Sequence, residues 1–258
     1  MFESDTYVHR TRYFDTPFAI AQRLGITEQE LRLANPQWKN RVVIFFKDGE
    51  EVIFPYTSPP SMNDLFVSTG QIYKKRALNW FPPKPSFNSP SSSMALLLSK
   101  LGNPKYTVDK PGTYHSPITF SDNWAAKNVS KVSIPQLANV PFGFALDKSP
   151  NGQIRFYTKA HSAVQALFKA WEDDGLLSKI LTYEGGFNPR VIKSSTTASN
   201  HSFGTAFDIN GSWNPEGKPP AAIGKKGCVL ELVPIANKLG FYWGGFYKDG
   251  MHFEYAKL

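Results

Sequence analysis

The chain has 258 residues, of which 41% are hydrophobic and 14% aromatic, and it carries a formal charge of +8. That length accommodates more than one folded unit, and no stretch approaches the roughly 20 apolar residues that span a bilayer, so no membrane span is expected. The single cysteine, Cys228, excludes a disulfide framework and a multi-cysteine zinc site, and the scattered basic residues form no nucleic-acid motif, so nucleic acid is not the expected partner.

The opening "MFESDTYVHRTRYF" lacks the charged and apolar regions of a signal peptide. Asp15 and Thr16 offer cap oxygens and Pro17 suits a first helical turn. Phe18, Ala21 and Leu24 then recur at helical spacing before Gly25. Thr27 and Glu30 form a capping box for a second helix that carries Leu31 and Ala34 and ends near Asn35-Pro36. "YVHR" and "EVIFP" flank the pair as strand candidates, which gives the order strand, helix, helix, strand. This order and these residues resemble a lysin motif (LysM), a module that binds the glycan chains of peptidoglycan or chitin. In this chain Phe14-Asp15-Thr16-Pro17 stands where that motif usually has Gly-Asp-Thr-Leu, and "RVVIFFKD" is inserted before the last strand. The resemblance implies a cell-wall-binding module over residues 1–56.

Residues 57–93 read as a linker region, because "TSPPS" and "FPPKPSFNSPSSS" are rich in proline and serine. Residues 62–81 between them are apolar enough to dock, with no functional reading of their own. A second unit is expected over residues 94–258, with Ser93 capping "MALLLSKLG". In "KAHSAVQALFKAWEDDG", Val164, Leu167, Phe168 and Trp171 form one apolar stripe of a packing helix. His161 at its start, like His9 and His115, sits in no ligand-like setting. Cys228 in "GCVLELV" reads as a buried structural thiol.

"SNHSFGTAFDIN" places His201 and Asp208 seven residues apart. Catalytic zinc takes three protein ligands and keeps one position open, so with one cysteine the ligands must be histidine and carboxylate. His201 and Asp208 serve as two of them if the chain turns at Gly204 and continues as a strand, where side chains alternate faces. A third must come from elsewhere, and His252 in "KDGMHFEY" stands out because Asp249 precedes it across Gly250. If this segment is a strand, Glu254 falls on the same face as His252, suited to receiving an imidazole N–H, with a plain surface charge as the alternative reading. Trp243, Phe246 and Phe253 read as core.

Ser-x-His-x-x-Gly-x-Ala-x-Asp over Ser199 to Asp208, followed by "WGGFYKDGMHFE" and preceded by "YEGGFNPR", is similar to the zinc peptidases that comprise D-alanyl-D-alanine carboxypeptidases and phage L-alanyl-D-glutamate endolysins. That resemblance implies an α+β fold with an antiparallel sheet flanked by helices. It implies one Zn2+ held by His201, Asp208 and His252, with Asp249 as general base, Arg190 as the substrate-site arginine, and Ser199 binding substrate or supporting the ligand loop. The implied substrate is peptidoglycan, cleaved in its stem peptides. Aspartate rather than glutamate at the base position leans toward L-alanyl-D-glutamate endopeptidase activity, with the D-alanyl-D-alanine carboxypeptidase as the alternative. A rival of another class is a non-catalytic wall-binding protein with a structural zinc. The protein is expected to be a monomer that acts on the bacterial wall or in the periplasm, delivered by lysis or by a dedicated secretion route.

Overall fold

A computed structural model describes residues 6–10, 16–23, 26–38, 50–53, 71–75, 81–143 and 152–258. The chain divides into two compact units, Met1–Trp80 and Phe81–Leu258. Asp15, Leu24, Gly25, the insert at 41–48 and all of 57–80 except 71–75 lie outside the described residues.

The first unit runs β1 (Thr6–Arg10), α1 (Pro17–Arg23), α2 (Glu28–Ala34), β2 (Glu51–Ile53), the order the sequence predicts. The Thr16 hydroxyl accepts from the Ala19 N–H at 3.0 Å, and both halves of the Thr27–Glu30 capping box are made. The apolar face of α1 differs from the expected one. Phe18 is 63% exposed, and the buried residues are Pro17, Ile20 and Ala21, which form an i, i+3, i+4 stripe about one residue round the helix. Asn35 joins helix to sheet: its amide donates to the carbonyls of Leu31 and Ile53, each at 2.7 Å, and its oxygen accepts from the Ile53 N–H at 2.7 Å. A further strand, β3 (Gln71–Lys75), comes from inside the expected linker and pairs antiparallel with the opposite edge of β1.

The linker expectation also differs at its other end, because the second unit begins at Phe81 rather than near residue 94. Phe81 packs on Trp243 with ring centroids 5.4 Å apart, Phe87 meets Tyr242 at 6.2 Å, and Ser89 is buried. Proline-rich chain can lie flat against an aromatic surface because it is already extended and asks for no ladder hydrogen bond. Composition alone does not separate that case from a free tether.

The second unit is α+β. Its main sheet is antiparallel in the order β10-β11-β9-β8, from β8 (Tyr183–Gly185), β9 (Ala206–Ile209), β10 (Phe241–Trp243) and β11 (His252–Tyr255). Two hairpins precede it: β4 (Tyr106–Val108) with β5 (Ile118–Phe120), and β6 (Val129–Ser133) with β7 (Gln153–Tyr157). Helices α3 (Met94–Lys100), α4 (Trp124–Asn128), α5 (His161–Asp173) and α6 (Val233–Lys238) complete it. All four residues of the α5 stripe have no exposed surface. Phe168 and Trp171 meet the sheet through Phe207 and Phe253, with Phe168 to Phe207 at 5.4 Å and Trp171 to Phe253 at 5.8 Å between centroids. Each such burial contributes about 1.5–3 kcal/mol. Because strand side chains alternate, packing Phe207 and Phe253 against α5 turns Asp208, His252 and Glu254 to the other face. The hydrophobic pattern thereby aims the polar residues. Among the described residues, no helix is long and apolar enough to cross a membrane.

Candidate metal centre

The His201 turn, a single 3-10 turn over Asn200–Phe203, is shaped at both ends. The Ser199 hydroxyl caps it by accepting from the His201 N–H at 3.4 Å, and Gly204 closes it in the left-handed region at φ +64°. A side chain at Gly204 would also crowd the Tyr157 backbone nitrogen, 3.0 Å from an added Cβ. The chain then enters β9, where Asp208 lies directly opposite His252 of β11 in the antiparallel register.

These elements bring three ligand atoms together. His201 Nε2 lies 3.1 Å from His252 Nδ1 and 3.2 Å from the Asp208 carboxylate, and His252 Nδ1 lies 2.9 Å from that carboxylate. His201, Asp208 and His252 are positioned to bind a metal ion. The hydrogen-bond chemistry tests the fit. His201 Nδ1 faces the carbonyl oxygen of Gly186 at 2.8 Å; a carbonyl only accepts, so Nδ1 donates to it and Nε2 is the nitrogen turned toward the cluster. Two imidazole nitrogens plus one carboxylate oxygen are donors zinc accepts. Burial raises the cost of charging Asp208, yet His201 and His252 outweigh it and hold the carboxyl far below its usual range. For His252, burial opposes the proton, but Asp208 and Glu254 prevail and raise the imidazole well above its ordinary value.

Asp249 sits in the turn before β11. Gly244 makes the turn possible, since an added Cβ would stand 2.6 Å from the Asp249 carbonyl oxygen and 2.9 Å from His252 Cβ. The left-handed residue of this turn is Lys248 (φ +67°) rather than Gly250, whose role is close packing, with an added Cβ falling 2.9 Å from Pro220. One Asp249 carboxylate oxygen is buried with no hydrogen-bond partner among the described residues. Burial pushes its carboxyl up to about 6, with Asp208 and Glu216 adding to the rise and His252 opposing it.

The ligands and Asp249 line a cleft of about 290 Å³ together with Arg190, Ser199, Tyr247 and Met251. Arg190 is held by its backbone, whose N–H donates to the Ser202 hydroxyl at 2.9 Å. Its guanidinium donates to His115 Nδ1 at 2.9 Å and has no carboxylate partner among the described residues. Burial, and then the Arg190 charge, lower the His115 imidazole's affinity for a proton. A neutral acceptor therefore holds Arg190 without cancelling its charge.

Glu254 has no exposed surface and lies 3.8 Å from His252 Nε2, an ion-pair distance longer than a hydrogen bond. Sequence reasoning set His115 aside and missed Ser91, Asn200 and Tyr247, all of which line the cleft. His115, Ser91 and Tyr247 lie outside the Ser199–Asp208 motif, and only Asn200, beside His201, carried a local signal. His161 bonds the Phe156 carbonyl at 3.1 Å and lies outside the cluster. Cys228 is buried, which raises its thiol further.

Residues 193–255 match the family model described as D-alanyl-D-alanine carboxypeptidase. The match contains His201, Asp208, Asp249, His252 and Glu254 and stops short of Arg190. No curated protein and no solved structure matches the chain.

Proposed function

We propose that the second unit is a zinc peptidase acting on peptidoglycan stem peptides, with His201, Asp208 and His252 as the metal ligands and Asp249 as the general base. The observation that carries this reading is the meeting, in one cleft, of three converging ligand atoms and a buried carboxylate oxygen with no partner among the described residues. The family match over 193–255 supports it, since that family consists of zinc peptidases of the cell wall.

Zinc, when bound, supplies Lewis acidity toward a carbonyl and makes water a good nucleophile near neutral pH. The chain's own residues do the rest. Asp249, with its proton affinity shifted toward neutrality, takes the proton of the attacking water and returns it to the departing amine. Arg190, a planar fork of donors whose charge is not cancelled by His115, receives a substrate carboxylate or the developing oxyanion. Ser199 holds the ligand turn. Glu254 faces the outer nitrogen of His252 and would keep its inner nitrogen turned toward Asp208 and His201, where a metal would be held.

For the scissile bond, aspartate at position 249 favours L-alanyl-D-glutamate hydrolysis, whereas the description of the matching family favours removal of a terminal D-alanine. Mass spectrometry of muropeptide products separates the two. New alanine amino groups identify the endopeptidase, free D-alanine identifies the carboxypeptidase, and no product with zinc present refutes both. We assign to the first unit the binding of wall glycan, supported by its strand, helix, helix, strand order.

A further inference from the structure

A carboxylate with no exposed surface needs donors, because burying an unmatched charge costs several kcal/mol. For Glu254 two of those donors come from far away in the chain. The Ser89 hydroxyl donates to Oε1, and the Ser91 hydroxyl donates to Oε2 at 2.6 Å. Asn200, next to His201, donates its amide to Oε2 and also to the Ser91 hydroxyl at 3.1 Å. Tyr247 completes the set with a long contact of 3.3 Å to Oε1. The serine segment is itself fixed: the Ser89 hydroxyl accepts from the Ser91 N–H at 3.1 Å, Pro90 opens the turn, and the Ser92 hydroxyl donates to the Ser89 carbonyl at 2.6 Å.

We propose that Ser89 and Ser91 are positioning residues of the metal centre, holding the Glu254 carboxylate so that it orients the His252 imidazole toward Asp208 and His201. The choice of hydroxyl matters. Serine satisfies a carboxylate's lone pairs without neutralising its charge, so the charge stays available to the imidazole N–H, whereas lysine or arginine at these positions would compete with His252 for it. The proposal rests on the metal reading above. It makes the segment that follows the first unit in the sequence a working part of the site, although its composition is that of a tether.

Ser91 also lines the cleft, so turnover is not the diagnostic quantity. Metal affinity and metal spectroscopy are. The full-length chain, stripped by a chelator, is titrated with zinc against a chromophoric competitor and separately loaded with cobalt for visible spectroscopy. Ser91→Ala is expected to weaken zinc binding about tenfold and the Ser89→Ala/Ser91→Ala double variant up to about 100-fold, the range typical of groups that orient a metal ligand. Both should alter the cobalt ligand-field bands, and Ser91→Thr, which restores a hydroxyl, should return affinity and spectrum to wild type. A folded double variant with wild-type zinc affinity and cobalt spectrum overturns the proposal. Should the double variant not fold, Ser91→Ala decides by the same two readings, since that side chain is at the surface. A wild-type chain that takes up neither zinc nor cobalt overturns the metal reading and this proposal with it, whereas wild-type uptake with unchanged variants overturns this proposal alone.

Discussion

Asp249, in the turn before β11, and Glu254, within that strand, lie on either side of His252 in the sequence and meet opposite surroundings. Glu254 is enclosed by Ser89, Ser91, Asn200 and Tyr247. Burial works to raise its carboxyl, but His252 and the serine hydroxyls outweigh that and hold it below the usual range. Asp249 has a buried oxygen that nothing among the described residues satisfies, and burial lifts its carboxyl to about 6. The same side-chain chemistry thus yields a fixed charge at one position and an exchangeable proton at the other. Donor count decides which.

The largest effect tests the proposed metal itself. His201→Ala should abolish stoichiometric zinc and peptidase activity together, and a chelator should inactivate the wild type reversibly. Elemental analysis and hydrolysis assays check this, and a fully active His201→Ala protein that retains zinc would break the assignment. Next in size, Asp249→Ala should keep zinc and lose about 10²- to 10⁴-fold in turnover, the contribution of a positioned general base. Glu254→Ala should cost less, about 10- to 100-fold in metal affinity or rate. Metal content and rate measured on both variants decide the matter: a dead, zinc-loaded Glu254→Ala beside a nearly normal Asp249→Ala would reverse the two roles.

Truncation sharpens the comparison from the Glu254 side. A chain starting at Phe81 keeps Ser89 and Ser91, so cleavage of small soluble muropeptides should stay within about twofold of wild type while sedimentation with intact wall weakens. A chain starting at Met94 lacks the serines and should lose zinc affinity about as far as the double serine variant does. Equal zinc affinity in the two chains would separate the serine segment from the metal.

The smallest effect is read from stability in the metal-free protein. Asp249 holds its proton more tightly folded than unfolded, with a carboxyl raised from 3.8 to about 6. It therefore contributes stability that is complete below about pH 4 and is lost as pH rises through about 6. Asp249→Asn should remove this part of the decline, and thermal melts of the two chelated proteins between pH 4 and 7 measure it. Parallel curves would place the proton elsewhere.

Local chemistry was readable in the chain. The Thr27–Glu30 box, the α5 stripe, the turn at Gly204 and the alternation of β9 depend on residues within about one turn of each other, where spacing sets geometry. Phe18 escaped because a helix of seven residues offers too few positions to fix which face is buried. His201, Asp208 and His252 were nameable as candidate ligands because metal chemistry restricts the residue types, and Asp249 because the motif resemblance pointed to it. The meeting of His252 with Asp208 rests on strand register, and the 2.9 Å contact of His115 with Arg190 rests on where the β4–β5 loop falls; neither is a property of any short segment. The serine segment shows the limit most clearly. Proline and serine read alike whether the chain is a free tether or packed, because what distinguishes them is a surface to pack on: the aromatic rings of Trp243 and Tyr242 and the buried charge of Glu254, supplied by residues more than 150 positions away. Folding contributed that surface, and with it the partners that set the proton affinities on either side of His252.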